Sequence, residues 1–156
     1  MTPFQQIYDR FFGKITDDMY MEWTQEDTEK DVLNILLDAI PGFEFPRFPL
    51  YDYDVNSAQF NSDLTSEEIN IFALLMLNNW LQRQITSVEN TRQKYSGSDF
   101  KMTSQANHLD KLMTLKQETE RQAHHYQRLY KRRKLKDGMI SSNWSSIMEK
   151  SALDGN

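Results

Sequence analysis

Apolar residues recur along this chain at helical spacing in four places, separated by stretches that break the rhythm. Phe4, Ile7, Tyr8, Phe11 and Phe12 fall at i, i+3, i+4, i+7 and i+8, one face of a helix over residues 3–12. Pro3 suits the first helical position, and Gly13 suits a stop. A connector around Asp17 follows, in ITDDMYMEW. The second helix is predicted over 25–40. Its first turns are crowded with acids, which the helix dipole favours there, and Val32, Leu33, Ile35, Leu36, Leu37 and Ile40 make a wide apolar face. Pro41-Gly42 ends it, through the missing N–H of proline and the tolerance of glycine for positive φ.

The third helix has the clearest start signal. Thr65 precedes Ser66-Glu67-Glu68, a capping box in which the hydroxyl and the Glu68 carboxylate each satisfy a backbone N–H, with Leu64 and Ile69 placed for a hydrophobic staple. From Ile69 to Leu77 only Asn70 interrupts the apolar run, so this helix is expected to be buried on most sides. Its buried residues are Ile69, Phe72, Ala73 and Met76, and Trp80, Leu81 and Ile85 extend one stripe. Thr86-Ser87-Val88-Glu89 repeats the capping pattern and marks a kink or restart, and Ser96-Gly97-Ser98 reads as a turn. Phe100 and Met102 lead into a last helix over about 104–135, roughly 45–50 Å long. Ala106, Leu109, Leu112, Met113 and Leu115 give its first half a core face. Beyond Lys116 the stripe thins to Ala123, Tyr126, Leu129 and Tyr130, and Lys131-Arg132-Arg133-Lys134 closes the helix, where cations suit the dipole.

Between the second and third helices the chain changes character. FEFPRFPLYDYDVNSAQF contains two prolines and six aromatic residues. Phe43, Phe45, Tyr51, Tyr53 and Val55 sit at odd positions, as in strands, but Pro46 and Pro49 exclude a central strand. The segment reads as an edge strand or an extended arm over 43–62. Its aromatic residues Phe43, Phe45, Phe48, Tyr51 and Tyr53 either tuck onto the chain's own core or pack on a neighbouring subunit. The fold class is therefore mainly α: a bundle of about four helices with an aromatic, proline-rich arm and a C-terminal tail.

Length and charge narrow the function. At 156 residues one domain is expected, and folding can bury about two-thirds of the extended surface. Without cysteine there are no disulfides and no thiolate metal sites. No apolar run reaches the ~18 residues of a membrane span, and MTPFQQIYDRFF is not patterned as a signal peptide, so a soluble protein made in a cytoplasm is expected. Residues 1–100 carry 7 basic and 17 acidic side chains, whereas 101–136 carry 10 basic and 3 acidic. An acidic body joined to a basic helix suggests head-to-tail packing or docking on an acidic partner. Solvation of an ordinary helix face explains the same residues.

Catalytic patterns are absent. There is no HExxH, glycine-rich phosphate loop or nucleophile elbow. His124 and His125 are adjacent, so on a helix they point about 100° apart and share a metal poorly. His108 is expected to hydrogen-bond in a helix–helix contact. The acid pairs Asp17/Asp18, Glu26/Asp27 and Glu67/Glu68 all sit at helix starts, where capping accounts for them. No enzyme activity and no cofactor or metal is expected. The KRRKLK run can dock a partner, neutralise phosphates without reading sequence, or simply cap its helix. In the tail, 137–156, Trp144, Ile147 and Met148 are spaced i, i+3, i+4 and can form a docking turn of helix. With Ile140 and the cations Lys131, Arg132, Arg133, Lys134 and Lys136 they make a candidate docking site.

One longer pattern carries a resemblance. Phe60-Asn61-x-Asp63-Leu64-Thr65-x-x-Glu68-Ile69 is followed by an apolar helix with Trp80. Then comes Asp99-Phe100-Lys101-x-x-Ser104-Gln105-Ala106-Asn107-His108-Leu109. This resembles the head–tail connector (adaptor, or neck) proteins of tailed bacteriophages, over roughly residues 15–130. The resemblance implies an adaptor domain over 1–136 that forms a ring, commonly of about twelve copies, beneath the portal protein of the capsid. The ring would lengthen the channel for packaged double-stranded DNA and dock a downstream tail, stopper or collar protein in the virion neck. Family members often engage the portal through their C-terminal segment, which corresponds here to 131–153. The tail of this chain is longer than the family's usual ending, so it could meet the portal, a neighbouring ring subunit or a tail protein. The other reading is a small helical regulatory or non-specific nucleic-acid-binding protein that uses the basic element 121–136.

Overall fold

A computed structural model describes residues 1–15, 24–94, 99–136 and 139–142, with side chains described at 1–15, 24–90 and 106–133. The connector around Asp17, the turn at 96–98, the side chains of Phe100 and Met102, and Trp144, Ile147 and Met148 fall outside that description. The architecture is mainly α. Strand β1 (Thr2–Pro3) leads into helix α1 (Phe4–Phe12), then α2 (Gln25–Ala39) and a 3-10 turn over Ile40–Gly42. Strands β2 (Tyr53–Asp54) and β3 (Gln59–Phe60) precede the long helices α3 (Ser66–Lys94) and α4 (Asp99–Lys131). Strands β4 (Arg133–Lys136) and β5 (Met139–Ser142) follow.

Each expected helix forms near its predicted bounds, for identifiable local reasons. The Gly13 N–H closes α1 on the Asp9 carbonyl at 3.1 Å, and Gly13 is right-handed. The hydroxyl of Thr24 caps α2 by accepting the Asp27 N–H at 3.2 Å and donating to the Asp27 carboxylate at 2.7 Å. The Thr65–Glu68 capping box forms as the pattern requires: the Glu68 N–H donates to Thr65 Oγ1 at 3.3 Å and the Thr65 N–H donates to Glu68 Oε2 at 2.6 Å. Helix α3 then runs unbroken through Thr86. The Thr86 hydroxyl donates back to the Gln82 carbonyl at 2.9 Å, so it is used inside the helix, and the expected restart does not occur.

The ends of α4 correct two further expectations. The helix begins at Asp99 and stops at Lys131. The Arg132 N–H is shared between the carbonyls of Arg128 (3.3 Å) and Leu129 (3.2 Å), which tightens the last turn. Arg133 to Lys136 then pair antiparallel with Met139 to Ser142, in the register Arg133↔Ser142 to Lys136↔Met139. The basic run thus leaves the helix, and its hairpin straddles the expected boundary between domain and tail at 136.

The core is built on α3. Phe4, Ile7 and Phe11 of α1, Ile35 and Leu36 of α2, and Ile40 pack with Ile71, Phe72, Met76 and Leu81 of α3. Ile69, Ala73 and Trp80 are buried as expected. The small sheet, in the order β1-β3-β2, lays Phe60 stacked on Phe72 (centroids 5.3 Å) and edge-on to Phe4 (5.3 Å). Gly42 does not take a positive φ, and a Cβ added there would meet the Leu75 side chain at 3.4 Å, an ordinary contact.

The aromatic segment divides between its two expected readings, and Met113 departs from its own. Phe43 and Phe48 do not extend outward as an arm available to a neighbour: both are buried in the chain's own core, with Phe43 4.9 Å from Phe72 and 5.8 Å from Phe48 between centroids. Tyr53 is half-buried against Phe60 and Phe4. Phe45 and Tyr51 remain outside, 53% and 71% exposed. On α4, Leu109 is buried and Leu112 packs partly on the core, but Met113 is 44% exposed and is not a core residue. One step along a helix turns a side chain about 100°, so Leu112 and Met113 cannot both face α3. Leu115 and Tyr126 are exposed for the same reason. The face that meets α3 is Leu109, Leu112, Lys116, Thr119, Ala123, Gln127 and Tyr130, all buried or half-buried, in steps of three or four.

Candidate interaction site at the basic end of the bundle

Where α4 ends, it meets the start of α3 and the segment 43–48. Glu68 lies at this junction with 0% exposure. Besides the Thr65 N–H, its carboxylate accepts from Arg47 Nε at 2.7 Å, Arg47 Nη2 at 2.9 Å and the Tyr130 hydroxyl at 2.6 Å. A capping residue has thus become a buried ionic hub. Its charge is matched by a guanidinium fork and its lone pairs are occupied, which a buried carboxylate requires. Burial, and then the Glu68 hydrogen bond and charge, push the Tyr130 phenol well above its ordinary value; Arg47 opposes them. It stays a neutral donor.

The same end of α4 clamps the 43–48 segment. Gln127 is buried, and its Oε1 accepts the Glu44 N–H. The Tyr130 oxygen accepts the Arg47 N–H at 3.2 Å, and the Tyr130 ring packs edge-on to Phe43 at 5.5 Å. Nearby, His124 Nδ1 lies 3.5 Å from Glu44 Oε1. Between the clamped residues, Phe45 holds φ 57°, in the left-handed region that a bulky side chain rarely adopts. Its ring lies under the Lys131 ammonium, 3.8 Å from Nζ to centroid, a cation–π arrangement. Arg133 Nη1 pairs with Glu67 Oε2, tying the first residue of β4 to the first turn of α3.

These groups line a cleft of about 100 Å³, formed by Phe45, Arg47, Thr65, Glu67, Tyr130, Lys131 and Arg133. Of the candidate docking residues, Lys131 and Arg133 reach it. Arg132 is exposed beside it. Lys134, Lys136 and Ile140 are placed on the hairpin by backbone register. Phe45, expected as part of an arm, is the cleft's aromatic wall. The sequence reading missed Arg47, Gln127 and the second role of Glu68. Gln127 was legible, since it lies four residues after Ala123 and three before Tyr130 on the α3-facing stripe. Nothing local marks Arg47 as the partner of a residue 21 positions away.

His108 is exposed, so the expected helix–helix role falls away. Among the described residues, no group of three or more His, Asp or Glu could hold a metal ion. No described helix is long and apolar enough to cross a membrane. The cleft sets an exposed aromatic ring beside three cations and one carboxylate, Glu67. No family model, curated protein or solved structure matches the chain.

Proposed function

We propose that this chain is a head–tail connector of a tailed bacteriophage, a structural virion protein that forms a ring beneath the portal. In this reading the ring extends the DNA channel and docks the tail. The observation that carries it is the Phe60–Leu109 sequence pattern. Its first part coincides with β3, the capping box and the buried stretch of α3, and its second with the start of α4. The basic end supports it further, because Lys131, Arg132 and Arg133 lie together at one exposed pole next to a cleft. The mechanism is assembly. Ring symmetry repeats a modest contact between copies, so weak sites add through avidity. The acidic body flanking a channel would let packaged DNA slide without sticking, by like-charge repulsion.

The test is the native mass of the full chain alone and mixed with the portal ring of its phage. A stoichiometric complex that persists at high salt supports the connector. Absence of association with the portal, together with salt-dependent binding to double-stranded DNA, overturns it. That outcome favours a regulatory or non-specific nucleic-acid-binding role for the exposed Arg128, Lys131 and Arg132.

A further inference from the structure

Phe45 combines three properties that seldom coincide. It is a large aromatic residue, more than half exposed, and its backbone is left-handed. Such a conformation costs free energy and persists only where neighbours over-determine it. Here they do: the N–H groups of Glu44 and Arg47 are bound by Gln127 and Tyr130, one helical turn apart on α4, and Phe43 is anchored in the core. The segment between is forced outward, so the ring is presented rather than left loose. Around it stand Arg47, Lys131, Arg133 and Glu67, with Arg47 paired to the buried Glu68 and Arg133 to Glu67.

The same chain exposes a complementary element. Tyr51-Asp52-Tyr53-Asp54-Val55 runs into and through β2, an outer strand of the small sheet. Tyr51 and Val55 are exposed large apolar residues, and Asp52, exposed between them, accepts from Asn61 Nδ2 at 2.6 Å. Asp54 accepts from the Ser57 hydroxyl at 2.7 Å and the Asn56 N–H at 2.9 Å; these bonds hold the hairpin and keep the Asp54 carboxyl below its usual range. None of Tyr51, Asp52 or Val55 lines the chain's own cleft.

We propose that the Phe45 cleft is one half of a contact between copies of this chain and that it receives the acidic, aromatic segment Tyr51–Val55 of a second copy. Charge complementarity argues for that occupant: one surface has three cations against the single lining carboxylate Glu67, with an aromatic wall, and the other has carboxylates and an exposed tyrosine. The two surfaces differ, so the contact is heterologous and propagates from copy to copy until it closes. This deepens the connector reading by naming the contact between ring subunits, and it rests on that reading only for the ring's place in a virion.

The test is sedimentation of the full chain over a concentration and salt series. The wild type should self-associate, less at high salt. Phe45→Gly separates docking from folding, since glycine is at ease in the left-handed region. Its Tm should hold or rise while association weakens at least tenfold. Lys131→Glu and Asp52→Lys should each weaken association, and an equimolar mixture of the two should recover it by pairing reversed charges. A wild type that stays monomeric throughout, a Phe45→Gly chain that associates normally, or a mixture that fails to recover overturns the inference. Portal binding by a chain that fails these tests would leave the connector reading standing.

Discussion

Replacing Glu68 by alanine tests whether the junction of α3, α4 and the 43–48 segment depends on one carboxylate. The side chain is fully buried and accepts four hydrogen bonds, from Thr65, Tyr130 and twice from Arg47. Its removal leaves the buried Tyr130 O–H donor without its acceptor and the Arg47 guanidinium without its carboxylate. Breaking a buried ion pair on one side costs about 3–5 kcal/mol. Arg47 is 32% exposed at its side chain, so water recovers part of its solvation and the lower half of that range applies. For a chain of this size, about 3 kcal/mol lowers Tm by roughly 6–12 °C. Glu68→Gln keeps the volume but aims an amide donor at other donors, and should cost about 1–3 kcal/mol. Tyr130→Phe removes one charged hydrogen bond, worth about 1.5–3 kcal/mol. Because the two residues touch, the double variant should destabilise by less than the sum of the singles. Thermal and urea unfolding of the wild type, Glu68→Ala, Tyr130→Phe and the double variant measures this directly. A Glu68→Ala Tm within about 2 °C of wild type, or additive costs in the cycle, would refute the hub.

Two further outcomes follow from the same packing. Burial, assisted by Glu29, pushes the Tyr8 phenol up from 10.0 to about 12, so the folded state favours the protonated form. Its stabilisation is intact below pH 10.0 and is lost as pH rises towards about 12, because the unfolded chain ionises first; Tyr8→Phe should flatten that alkaline loss, read by urea midpoints across the range. On the core, Phe72→Ala should cost about 3–5 kcal/mol, whereas Met113→Ala should stay within about 0.5 kcal/mol, and comparable losses for both would contradict the side of α4 assigned to the core.

Local patterning was enough to place the helices and most of their bounds. Apolar spacing is a local property, and it placed α1, α2, the capping box of α3 and the burial of Phe72 and Met76 without knowledge of neighbours. It could not orient α4. The stripe facing α3 includes Lys116, Thr119 and Gln127, so hydrophobicity favoured Met113 and Leu115 although they face away. Nor could it divide the aromatic segment. Phe43, Phe45 and Phe48 are alike in composition, but two enter the core and one is turned outward because Gln127 and Tyr130 hold the backbone on either side. Glu68 was legible as a cap, since the cap lies within one turn. Its pairing with Arg47 and Tyr130 spans 21 and 62 positions. Periodicity reports which face of an element is apolar; only the packed tertiary structure decides what that face meets and which polar groups are buried with it.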